Sequence, residues 1–376
     1  APITGDATRY YGVSDLSIGI LSMCFMIVYV VVSIPASWII DKYGIRIGVG
    51  IGAVFTGIFG LLRGFAGPDY HFLLLTQIGI AVGQPFILNS ITKLSARWFP
   101  IEERATAAGL GTLAMYIGIL AGMTVTPYLI VGSGINGMLY IYGIFSVSIA
   151  IVFLLFIKEG PPTAPCLPEQ EERSLVFDGF MSTIRTKDFI WLMIIFFIGL
   201  GVFNSVTTWI EDIMRPRGFS ATQAGITGGM MIVGGVIGAL IIPMLSDKYK
   251  KRTPFIILAL FGATLGLTGI TFATTYWLMI TSGIVLGFFL LSAGPVGFQY
   301  GAEITYPASE GTSNGMLLMM GQISGIAFIF GMDSMKSSVN GSMTRSLVIL
   351  IILMVLSILM SLRLGESTIL KKEESV

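Results

Sequence analysis

Charge is scarce in this chain. Asp, Glu, Lys and Arg make up 11% of its 376 residues, where a water-soluble domain usually carries about 25%. Histidine occurs once, at His71, and cysteine twice, at Cys24 and Cys166. No disulfide framework and no His/Cys metal set can be assembled from so few groups. Walker-type phosphate loops and Ser/His/Asp sets are also missing. These absences argue against an enzyme, a self-contained ATP-driven pump, and any metal or organic cofactor. The net charge of +1 gives no electrostatic reason to bind nucleic acid.

What is present is apolar. Hydrophobic residues reach 54%, and the mean hydropathy is +0.85. The 47 glycines and 20 methionines suit helices packed against one another in lipid, where small residues let backbones approach. A spanning helix needs about 20 mostly apolar residues. Eleven such segments are expected: Ser17–Ile40, Ile47–Phe65, Phe72–Leu94, Ala105–Val131, Met138–Ile157, Ile190–Met214, Thr222–Ser246, Pro254–Ala273, Tyr276–Gly301, Thr312–Ser334 and Arg345–Leu362.

The segments repeat. Gly12-Val13-Ser14 with Gly19-Ile20 returns as Gly218-Phe219-Ser220 with Gly225-Ile226, and Asp41-Lys42-Tyr43 with Arg46 returns as Asp247-Lys248-Tyr249 with Arg252. Phe55 and Gly60 likewise find Phe261 and Gly266, all at an offset of 206 residues. Two copies of one membrane unit are the parallel-repeat signature of certain transporters. By this alignment Ile190–Met214 has a counterpart mostly before Ala1, so the spans are expected to be numbers two to twelve, the first span being absent from the chain. The expected division is an N-terminal bundle over 1–157, a linker over 158–187 and a C-terminal bundle over 188–376.

Basic residues cluster on one side of these spans, among them Lys42, Arg46, Lys93, Arg97, Arg104, Lys158, Lys248, Lys250, Lys251, Arg252 and Arg363. The positive-inside rule then puts the Asp-Lys-Tyr turns, the linker and the C-terminus in the cytosol, and residues 1–14 outside, of a multi-pass protein in the cell membrane. Lys158–Lys187 is Pro-rich, then acidic at Glu169–Glu172; it reads either as a linker that lets the halves rock or as a solvated tether.

Asp41-Lys42-Tyr43-Gly44-Ile45-Arg46 resembles the short loop between spans two and three of the major facilitator superfamily, and Asp247-Lys248 repeats its core. The resemblance implies an all-α membrane fold of two six-helix pseudo-repeats that works by alternating access. Asp41 and Asp247 close helices where they can pair with Arg97, Arg104 or Arg252, or face a helix N-terminus. With Lys42, Arg46, Lys248, Glu303 and Glu310 they form the expected gating set, whose contacts bias a two-state equilibrium. The alternative reading is that the same charges only anchor and orient the helices.

Two further segments narrow the resemblance. Gly83-Gln84-Pro85-Phe86-Ile87-Leu88 with Lys93 and Ala96-Arg97-Trp98-Phe99, and Glu303-Ile304-Thr305-Tyr306-Pro307 with Glu310-Gly311-Thr312-Ser313, are similar to the fourth span and the turn after the tenth span of the feline leukaemia virus subgroup C receptor-related transporters. That branch implies haem, choline or ethanolamine as cargo, and implies substrate contact by Gln84 and Gln322. The branch's first-span tryptophan has no position here, and its seventh-span tyrosine falls at Asn204, which leaves an aromatic cage for quaternary ammonium incomplete.

Polar residues at mid-membrane depth are costly and therefore candidate contacts. They are Gln84 and Asn89 in span four, Tyr116 in span five, Asn204 and Thr207 in span seven, Gln299 in span ten and Gln322 in span eleven. Each reads alternatively as an interhelical staple. No Asp, Glu, Lys, Arg or His falls mid-span; Arg63, Glu211, Asp212, Asp333 and Glu303 lie near span ends, and His71 in an outer loop. A uniport-like carrier, acting as a monomer on a small polar, cationic or zwitterionic organic solute, is the expectation. A receptor or sensor on the same scaffold, or an ion-coupled symporter or antiporter, is the alternative.

Overall fold

A computed structural model describes residues 3–99, 101–161, 185–305 and 310–366. Within them the side chains of Asp41, Thr92, Ala96, 101–106, Ala108, Gly109, Thr112 and 310–312 are not described. Cys166 and residues 162–184 of the expected linker lie outside the described residues, as do the side chains of Asp41, Arg104 and Glu310.

The described chain is helical. In order come α1 (Thr4–Tyr11), α2 (Asp15–Tyr43), α3 (Ile45–Gly64), α4 (Tyr70–Leu88), α5 (Ser90–Trp98) and α6 (Ile101–Phe156). Then follow α7 (Lys187–Thr208), α8 (Ile210–Met214), a 3-10 turn (Arg215–Arg217), α9 (Ala221–Lys248), α10 (Thr253–Phe272), α11 (Tyr276–Thr305), α12 (Glu310–Ser334) and α13 (Thr344–Ser361). Among the described residues, ten helices are long and apolar enough to cross a membrane. Their outward faces are greasy: Val131 is 85% exposed and Trp277 77% exposed. In water such surfaces would associate; in lipid they need no partner.

The count of ten differs from the eleven expected because Ala105–Val131 and Met138–Ile157 run together in α6. Its apolar part, Leu113–Phe156, is 44 residues long, about 66 Å at 1.5 Å per residue and twice the hydrocarbon thickness. The run is broken at Gly134, whose φ of 68° and ψ of 177° are non-helical. Only a residue without Cβ takes that conformation cheaply. One other span is interrupted and one stops sooner than expected. The fourth runs Tyr70–Ser95 but is interrupted at Asn89, four residues after Pro85, whose carbonyl accepts the Asn89 N–H. The seventh breaks at Trp209, a fully buried ring whose Nε1 donates to the Ile329 carbonyl at 3.1 Å. His71, expected in a loop, sits in the first turn of α4, its N–H held by the N-cap Asp69 at 2.9 Å.

The repeated Gly-x-Ser triplets have a local cause. Gly12 and Gly218 take φ of 65° and 84°, and Ser14 and Ser220 then adopt extended backbone as N-caps of α2 and α9. Ser14 Oγ accepts the Ser17 N–H at 3.2 Å. Ser220 makes a full capping box, accepting from Gln223 N at 3.2 Å while Gln223 Oε1 accepts its N–H at 2.9 Å. Ser220→Ala is expected to lower stability by about 1 kcal/mol, and thermal unfolding of the purified protein checks it.

Contacts divide the chain into two units: Gly5–Gly118 with Val125–Ser174, and Leu175–Val376 with Ala1–Thr4 and Ile119–Thr124. In the first, α3 packs on α4 with Gly83 directly over the Gly52 carbonyl. In the second, α9 packs on α11 through Gly234, Gly238 and Gly287, each lying against a backbone carbonyl of the facing helix. Glycine's abundance in the sequence serves close helix packing at these positions.

Candidate functional site

The amides expected at mid-depth divide by what they already hold. Asn89 is spent. Its Oδ1 accepts from Tyr29 Oη at 2.9 Å, and its Nδ2 donates to Ser33 Oγ at 2.9 Å, Ser37 Oγ at 3.0 Å and the Ser33 carbonyl at 3.2 Å. It ties the break after α4 to α2. Asn204 Nδ2 donates to the Gly321 carbonyl at 3.1 Å, tying α7 to α12. Thr207 bonds back along its own helix to Phe203 and Asn204 carbonyls at 2.7 and 3.1 Å. Gln299 Nε2 donates to Glu303 Oε1 at 3.1 Å.

Gln84, Tyr116 and Gln322 make no side-chain hydrogen bond among the described residues, and each is half-buried. Gln84 stands apart: its Oε1 is closed off from solvent and still lacks a partner. It is placed by Gly83, which seats α4 on the Gly52 carbonyl, and is followed by Pro85 inside the helix. Gln322 follows Gly321, the residue whose carbonyl holds Asn204. An unpaired amide supplies two donors and one acceptor to an incoming solute and carries no charge. Leaving it unpaired costs roughly 1–3 kcal/mol, which a ligand recovers.

The charged set forms two networks, one in each unit. In the C-terminal unit Arg252 donates through Nε and Nη2 to Glu303 Oε1 at 3.1 and 3.0 Å, and through Nη1 to Ser246 Oγ at 3.1 Å and to Asp247. Arg252 and Glu303 are both 8% exposed. Burial works against the Arg252 charge, but the bonds to Asp247 and Glu303 outweigh it and hold its pKa above the usual value. In the N-terminal unit Arg97 pairs with Glu159 at 3.1 Å, with 42% and 36% of the side chains exposed. Lys42 lies over the Trp38 and Tyr43 rings at 4.7 and 5.2 Å, while Arg46 and Lys248 are exposed.

Two carboxylates not foreseen from the sequence organise these networks. Glu159 accepts the N–H groups of Ile45 and Arg46 at 3.0 and 2.8 Å, capping α3. Glu366 accepts those of Arg252 and Thr253 at 3.0 and 3.1 Å, capping α10. Each places a negative charge on a helix N-terminus, where the dipole favours it. The signal was available: Glu159 and Glu366 stand 207 residues apart, one more than the offset of the turns. Arg97 and Glu303 stand at the repeat offset, so this position carries opposite charges in the two units and pairs with a different element in each.

The chain matches the Major Facilitator Superfamily model over residues 1–329. Among curated proteins it is 31% identical to the choline/ethanolamine transporter FLVCR1 of Felis catus, over 85% of this chain and 61% of that protein. It is 29% identical to choline/ethanolamine transporter flvcr2b of Danio rerio, over 85% and 70%. It is 30% identical to an uncharacterized MFS-type transporter, C09D4.1, of Caenorhabditis elegans, over 85% and 58%. The chain thus spans between 58% and 70% of the length of these relatives. A bacterial homologue of the human lysosomal transporter Spinster superposes with a TM-score of 0.75 at 16% identity, covering 96% of this chain and 92% of that one. The fucose transporter FucP superposes at 0.66 with 14% identity, over 97% and 94%. Apolar helices of spanning length, glycine-packed interfaces and repeat-related charged turns belong with that match: this chain is a multi-pass membrane transporter of the major facilitator superfamily.

Proposed function

We propose that the protein is a uniport-like, alternating-access carrier for a small cationic or zwitterionic organic solute of the choline or ethanolamine kind, contacted by Gln84 and Gln322. The observation that carries this is Gln84, a half-buried amide whose Oε1 has no partner. Asn89, Asn204, Thr207 and Gln299 serve as staples or gate partners, on the hydrogen bonds they already make. Tyr116 adds an unengaged phenol ring, suited to an alkylammonium face. The printed activity of the FLVCR relatives supports the cargo class; haem belongs to the same reading with weaker support, because His71 is exposed in a helix first turn, its ring edge-on to Tyr70. The carrier works as a monomer in the cell membrane, with residues 1–14 outside and the Asp-Lys-Tyr turns in the cytosol, as the distribution of basic residues supports.

A thermal-shift screen of choline, ethanolamine and related metabolites tests the assignment. One of them is expected to stabilise the wild type. Gln84→Ala and Gln322→Ala are each expected to weaken that ligand about tenfold, the loss of roughly one hydrogen bond to a charged group. A ligand whose stabilisation survives both substitutions removes the proposed site.

A further inference from the structure

The two units treat a cation at the same end differently. In the C-terminal unit Arg217, just before Gly218, donates to the carbonyls of Ile270, Thr271 and Ala273 at 2.5, 2.8 and 3.2 Å. It caps the end of α10, and its guanidinium is satisfied. The repeat position in the N-terminal unit, just before Gly12, is Tyr11. The cation there has moved onto the helix itself, as Arg63 in the last turn of α3.

Arg63 has no acceptor among the described residues. No carboxylate pairs with it, and its Nε is closed off from solvent without a partner. The Tyr11 hydroxyl is in the same condition. Two phenols stand by that end of α3: Tyr11, at the repeat position of the capping Arg217, and Tyr142, beside Gly143, which packs on the Gly60 carbonyl. Both rings are fixed. Tyr11 packs edge-on against Tyr10 at 4.9 Å and lies 6.5 Å from Tyr70, which is itself tied to the Ser17 carbonyl at 2.6 Å. Tyr142 shares a hydrogen bond of 2.8 Å with Thr126 in which either oxygen can donate, so its own proton is available. Burial pushes the Tyr11 phenol up to about 12, against the opposing pull of Arg63, so it remains a neutral donor.

Guanidinium has donors only; Arg63 is half-buried, and its closed-off Nε is a charged donor left without an acceptor, which is costly to hold. We infer that Arg63, Tyr11 and Tyr142 form a binding site for an oxyanion, a carboxylate or phosphate group, at the end of the N-terminal unit that carries residues 1–14. The group is presented either by a dissolved anion or by a lipid head group at that surface.

The full chain reconstituted in phosphatidylcholine nanodiscs, with ionic strength held by chloride, distinguishes these sources. Inorganic phosphate or acetate is expected to raise the melting midpoint by a few degrees, saturably, if the anion is dissolved. If the rise requires phosphatidylglycerol in the nanodisc, the source is lipid. In either arm Arg63→Gln is expected to abolish the rise. No saturable response in any arm, or a wild-type response in Arg63→Gln, overturns the inference. Should Arg63→Gln fail to fold, Tyr11→Phe decides: it keeps the charge and is expected to weaken the response several-fold, and an unchanged response overturns the site.

Discussion

Arg252→Met is expected to cost about 3–5 kcal/mol of stability, whereas Arg97→Met costs about 1 kcal/mol or less. Both residues hold ion pairs in repeat-related networks, so the comparison isolates burial. Arg252 and Glu303 are each 8% exposed, and Glu303 Oε2 already lacks a partner. Removing the guanidinium strands the Glu303 carboxylate in a medium that cannot solvate it. Arg97 and Glu159 are 42% and 36% exposed, and water replaces either partner. The Arg252→Met, Glu303→Gln double variant is expected to recover most of the loss, because no lone buried charge remains. Thermal unfolding in detergent micelles reads all three. An Arg252→Met protein as stable as Arg97→Met would show that the C-terminal network is not a buried fastening.

Gly287→Leu is expected to be destabilising by about 1–3 kcal/mol or more, with Gly331→Ala as the control that meets no steric barrier. A side chain at Gly287 would meet the Met231 backbone carbonyl, and one at Gly238 the Phe288 carbonyl. The two contacts interlock α9 and α11 from both sides, and backbone cannot move aside as a flexible side chain can. A Cβ at Gly331 meets nothing within 4 Å, so alanine there gains helix propensity of about 1 kcal/mol at no steric cost. Equal effects from the two substitutions would mean that α9 and α11 are not held at backbone contact.

Sequence carried the fold further than the site. The Gly-x-Ser triplets were visible as a repeat because each serves one fixed purpose, a left-handed glycine before a serine N-cap. Gly134 was not visible as a break inside α6, since glycine is frequent in every span and only backbone angles separate a packing glycine from an interruption. Gln84 and Asn89 looked alike in sequence, both amides in one span. What separates them is whether Tyr29, Ser33 and Ser37 stand opposite, and that depends on how α2 lies on α4. Glu159 and Glu366 were hidden for a different reason: they sit far along the chain from the N–H groups they cap, and they stand one residue off the offset of the motif.

Counterflow of labelled choline or ethanolamine in proteoliposomes tests the account most directly. Vesicles preloaded with unlabelled solute are expected to accumulate label transiently, with no pH gradient, and Gln84→Ala with Gln322→Ala is expected to remove the overshoot. Binding of label without exchange would make the protein a receptor, and accumulation that requires an inward proton gradient would contradict the uncoupled carrier.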